Sequence, residues 1–152
     1  MGISISERFK KRYIFFSELL LMTEEIVNGI CYLTMPLDEI LISIEKDGLC
    51  KNLDFVGAFR ELANSGDDFP EAWKKSVHCC RETLNKAESE KLLSFGLSLG
   101  RSDCESQKSL LKLYISQFNT YAEEAYAMKK KYSFTSVITG LLCGSAVFIL
   151  LI

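Results

Sequence analysis

Apolar positions recur at helical spacing through almost the whole chain. From about Ser6 to Leu33, Phe9, Tyr13, Phe16, Leu20, Thr23, Val27 and Ile30 follow one another at steps of four and three, which predicts one long amphipathic helix. Pro36 ends that pattern, because the residue before a proline avoids helical backbone while proline itself suits the first turn of a new helix. Leu37, Ile40, Leu41 and Ile44 give the next, short helix its apolar face, and Asp47-Gly48 closes it. Asn52 reads as the cap of a third helix carrying Leu53, Val56, Phe59 and Leu62, which stops at Asn64-Ser65-Gly66. Asp67 or Asp68 opens a fourth, with Pro70 in its first turn and Trp73 and Val77 facing inward. Asn85 with Glu88 three residues on forms a capping box for a fifth, which holds Leu92, Leu93, Phe95, Leu97 and Leu99 and stops at Gly100.

Ser102 and Glu105 repeat the capping-box spacing at the start of the last helix. Along it Cys104, Gln107, Leu111, Tyr114, Phe118, Tyr121, Ala125, Met128 and Tyr132 make a narrow seam, widened near its start by Leu110, Leu113 and Ile115. Gln107 stands out there. An amide among apolar neighbours must have its donors and acceptor satisfied, so it favours one packing over others. No stretch shows sustained period-two alternation, and the expected fold is all-α: a compact bundle of two long antiparallel helices and several short ones. Antiparallel packing brings Arg8, Lys10, Lys11 and Arg12 level with Lys129, Lys130 and Lys131, and puts the short helices at the opposite end.

Beyond those lysines, Tyr132 to Ile152 contains no charged residue. As a helix it rises about 31 Å at ~1.5 Å per residue, enough to cross a hydrocarbon core of about 30 Å. The chain therefore divides into a helical domain, 1–131, and a C-terminal transmembrane helix, 132–152, with the Lys129 to Lys131 cluster holding the domain on the cytoplasmic side. Within that helix Ser136, Gly140 and Gly144 recur every fourth residue, a flat strip that lets another membrane helix approach closely.

Composition narrows the chemistry. A net charge of -2 over 152 residues gives no general basic field for nucleic acid, so what positive charge matters lies at the two ends, beside the headgroups. The cysteines, Cys31, Cys50, Cys79, Cys80, Cys104 and Cys143, include no C-x-x-C pair and read as reduced cytoplasmic thiols. His78 is the only histidine. Together with Cys79 and Cys80 it cannot converge on one ion, since consecutive helical residues point about 100° apart. Adjacent acids diverge for the same reason, and no phosphate-binding loop, nucleophile elbow or zinc-protease motif is present. The expectation is a protein without metal or cofactor that is not an enzyme.

Met35-Pro36-Leu37 following Glu25-Ile26, then Asp68-Phe69 with Glu71-Ala72-Trp73, and above all Leu99-Gly100-Arg101-Ser102-Asp103 followed by Gln107 and a glycine-bearing C-terminal helix form an ordered set. In these features the chain resembles the stage III sporulation protein AB family of endospore-forming bacteria. The resemblance implies a helical domain similar to the cytoplasmic domain of type II secretion platform proteins; on the residues themselves, Trp73 is expected in its core and Leu99 to Asp103 as a tight turn between helices. It further implies a non-enzymatic platform role in the sporulation channel complex between mother cell and forespore, in the mother-cell membrane beside the secretion-type ATPase, stage III sporulation protein AA. The family pattern also has a membrane helix ahead of the basic cluster, whereas this sequence starts at Met1-Gly2-Ile3. Two readings from other classes remain open on the residues alone: a tail-anchored cytoplasmic adaptor unrelated to sporulation, and a thiol-dependent enzyme using Cys79 or Cys80.

Overall fold

A computed structural model describes the backbone of residues 2–80, 82–99 and 103–150, and the side chains from 6 to 132 and at 134 within those ranges. Helix α1, Gly2–Asn28, passes into a π-turn at Gly29–Leu33. Next come α2, Leu37–Lys46; α3, Asp54–Asn64; α4, Phe69–Val77, with a 3-10 turn at His78–Cys80; α5, Lys86–Ser98; and α6, Cys104–Leu150. Every regular element among the described residues is helical.

Most helix ends form where local chemistry asks for them. Asp68 caps α4 by accepting from the Glu71 N–H at 3.2 Å, with Pro70 in the first turn. Asn85 and Glu88 form a complete capping box on α5, each side chain accepting from the other's backbone N–H at 2.9 Å. Gly48 at φ 68° and Gly66 at φ 97° take the left-handed backbone that terminates α2 and α3.

Two caps differ from expectation. The Asn52 N–H and side-chain amide both donate to the Glu18 carboxylate on α1, so Asn52 pins the loop to the first helix, and Leu53 occupies the capping position of α3. At α6 it is Asp103 that caps, accepting from Ser106 N–H at 3.2 Å and from its hydroxyl at 2.8 Å, while Glu105 pairs with Lys108 at 3.3 Å. The Ser106 bonds hold the Asp103 carboxyl below its ordinary pKa. Gly100, Arg101 and Ser102 lie outside the described residues, so the expected turn is seen only at its borders: α5 ends at Ser98, and Leu99 is extended at φ -69°, ψ 143°.

Helices α1 and α6 pack antiparallel. From one end to the other, Phe9 stacks on Tyr132 (5.3 Å), Tyr13 meets Tyr126 (5.5 Å), Phe16 meets Phe118 (6.5 Å), and Cys31 reaches Cys104. The short helices lie along one side of this hairpin rather than at its far end: Phe55 packs on Phe15, Glu88 pairs with Arg12, and Ile40 closes on Gly29. Buried Phe15, Phe16, Leu19, Met22 and Ile26 show why, since they run along the C-terminal half of α1 and need cover there. On α6 the buried line is Gln107, Leu111, Tyr114, Phe118, Ala122 and Ala125; Leu113, well round the helix from that line, is exposed.

Trp73 is the centre of the core. Its ring is fully buried among Phe55, Phe59, Phe69 and Phe95, and its indole N–H donates to the Leu92 carbonyl at 3.1 Å. Gln107 is also fully buried, and its amide donates to the Ser98 carbonyl at 3.2 Å, tying the start of α6 to the end of α5. Helix α6 then continues unbroken to Leu150. Among the described residues no helix is long and apolar enough to cross a membrane. The side chains of 135–150, on which the expected transmembrane helix rests, lie outside the described ones.

Candidate interaction surfaces

The basic clusters of the two long helices do meet at one end of the hairpin, but they are not equivalent. Arg8, Lys10, Lys11, Lys130 and Lys131 are exposed, and Lys129 is half-buried with its ammonium 5.5 Å from the Tyr13 ring centroid. Arg12 turns inward. Its guanidinium lies 5.9 Å from the Phe16 ring centroid and pairs with Glu88, whose side chain is buried, with Glu124 at 3.9 Å. Glu88 is buried because it completes the α5 cap, and a buried carboxylate needs a counter-charge. Arg12 therefore belongs to the core, which leaves Arg8, Lys10 and Lys11 as the exposed basic residues of α1 at this end.

The side of the hairpin that carries no short helix is a long groove. Tyr13, Ser17, Leu20, Leu21 and Glu24 of α1 line it against Asn119, Ala122, Glu123 and Tyr126 of α6. Leu21 and Tyr126 are about half exposed, and past Glu24 the groove continues between Val27 and Tyr32 on one wall and Lys108, Lys112 and Ile115 on the other. Sequence periodicity does not reveal this face, because Leu20 and Val27 count there toward the inward stripe although they sit half-buried at its edge.

The thiols divide by burial. Cys50 and Cys80 are buried, and desolvation pushes each up to about 12, a state in which they are inert. Cys79 is exposed beside buried Cys80, and His78 points outward, so the three diverge as helical geometry requires. Among the described residues no three His, Cys, Asp or Glu side chains are placed to hold a metal ion. Cys143, Ser136, Gly140 and Gly144 lie on α6, and their side chains fall outside the described ones.

The family model for stage III sporulation protein AB matches residues 1–152. No curated protein and no solved structure matches this chain.

Proposed function

Because the chain belongs to the stage III sporulation protein AB family, we propose that it is a non-enzymatic, membrane-anchored assembly component of the sporulation channel complex between mother cell and forespore. The match over residues 1–152 carries this reading. In it, Tyr132 to Ile152 crosses the mother-cell membrane and 1–131 is a cytoplasmic head. The run of uncharged residues after Lys131 supports the anchor, and the exposed Arg8, Lys10, Lys11, Lys130 and Lys131 support a surface of anionic lipid at that end. Because α6 is continuous, the head is held rigidly to whatever anchors its C-terminal half.

The partners under this reading are other channel proteins, among them the secretion-type ATPase, stage III sporulation protein AA. Helices α2 to α5 form the side of the head that carries short helices and loops, and that side reaches the ATPase. The test replaces the resident copy in an endospore-forming bacterium with charge-reversal variants at exposed positions between Leu37 and Leu99. Spore yield and co-purification of the ATPase should fall together while the protein stays folded and in the membrane fraction. A strain lacking the gene that still sporulates normally would overturn the reading.

A further inference from the structure

Two cysteines stand together where the long helices meet at the end opposite the basic clusters. Cys31 lies in the π-turn that ends α1, and Cys104 is the first residue of α6, 73 positions on. The Cys31 thiol donates to the Cys104 carbonyl oxygen at 3.6 Å, and the Cys104 thiol donates to the Cys31 carbonyl oxygen at 4.0 Å. Each sulfur thus lies against the other residue's backbone, so the two side chains meet at one contact. Both residues are half-buried, open to a small reagent, unlike buried Cys50 and Cys80.

We propose that Cys31 and Cys104 form a dithiol site that small-molecule disulfides oxidise to an intramolecular bond, tying the end of α1 to the start of α6. Burial first, and then contact with Cys104, push the Cys31 thiol up to about 11. One thiol of the pair, deprotonated, attacks the incoming disulfide, forms a mixed disulfide and releases one thiol. The other then gives up its proton and attacks the protein sulfur of that mixed disulfide, releasing the second thiol. The protein loses two electrons and two protons, and the reagent, reduced, carries both away as two thiols. The bond closes the chain between the two cysteines, helices α2 to α5 included, into a loop. It also fixes the corner where the Lys108 ammonium sits 5.1 Å from the ring centroid of exposed Tyr32.

The test exposes the full chain in detergent micelles to excess oxidised glutathione and maps its peptides by mass without reduction. A Cys31–Cys104 linked peptide should be the main product, reverse with dithiothreitol, and raise the thermal midpoint by roughly 5 °C or more. Cys31→Ser and Cys104→Ser should each abolish it, and Cys79→Ser should leave it. Should a serine variant unfold, joint protection of Cys31 and Cys104 from iodoacetamide in the oxidised native chain decides instead. Glutathione adducts that persist on either residue, dimers through Cys79 as the main product, or a closed bond that leaves the midpoint unmoved would each overturn the proposal.

Discussion

A β-carbon built on Gly96 would fall 2.0 Å from Trp73 Cε2, so α5 can lie across the indole only while that position carries no side chain. Neither partner yields easily, since the ring is packed on all sides and its N–H is committed to Leu92. Gly96→Ala should therefore cost about 2 kcal/mol or more, read as a lower urea midpoint. Gly57→Ala is the control: its nearest neighbour would be Glu45 Oε1 at 3.8 Å, and relief of a mid-helix glycine should stabilise by roughly 0.5–1 kcal/mol. An unchanged midpoint for Gly96→Ala would mean that the helix can back away from the ring. Burial of Trp73 was legible in the sequence from its place on an apolar face, and so was the Asn85–Glu88 box, because both depend on residues nearby in the chain. Gly96 and the Arg12–Glu88 pair were not, because each is set by a residue on another helix, and Arg12 by itself is indistinguishable from Lys10 and Lys11. Arg12→Met should destabilise by about 3 kcal/mol by stranding a buried carboxylate; equal losses for Arg12→Met and Lys11→Met would deny the pair its role.

At the scale of elements, proline placed the break after α1 correctly but gave no sign of how the helix ends. The last turn widens to π geometry over Gly29–Leu33, Thr34 adopts φ 53°, and the Thr34 and Met35 N–H groups both donate to the Gly29 carbonyl. Tertiary contact explains the widening, because Gly29 must lie against Ile40, where a β-carbon would come within 2.4 Å of Cδ1. Left-handed backbone costs a β-branched residue about 1 kcal/mol, so Thr34→Gly should raise stability by roughly 0.5–1 kcal/mol in thermal or urea unfolding. A destabilised variant would show that the threonine side chain has a partner worth more than the strain. The start of α6 carries a pH signature. The Asp103 pKa is lowered in the fold, so its contribution is present above the ordinary value of 3.8 and is lost as pH falls through the lowered one. Asp103→Asn, which can still cap, should flatten stability against pH across that acid window; an identical acid limb in the two proteins would remove Asp103 as a source of acid sensitivity.

For the molecule as a whole, the periodicity that revealed two long helices could not say on which side the short ones lie, since an apolar stripe names a face and not its occupant. Their sideways placement has a consequence for the tail. The buried residues of α6 end at Ala125 among those described, and the ring of Tyr132 on Phe9, at the first position of the uncharged segment, is the last aromatic contact among them. Nothing in the described core depends on residues beyond Tyr132. A chain ending at Ser133 should therefore keep its helical circular dichroism and its cooperative unfolding, while leaving the membrane fraction if Tyr132 to Ile152 is the anchor. Retention on membranes that survives a high-salt wash would assign the attachment to another part of the chain, whereas retention that salt removes would assign it to Arg8, Lys10, Lys11 and the terminal lysines. Changing Gly140 and Gly144 together to leucine probes a different property of the same segment. It keeps the apolar length, so the protein should remain in membranes, yet it fills any close helix contact and should reduce co-purification of membrane partners. Undiminished co-purification in that variant would leave the small-residue strip without a role in assembly and shift the search for partner contacts to the head.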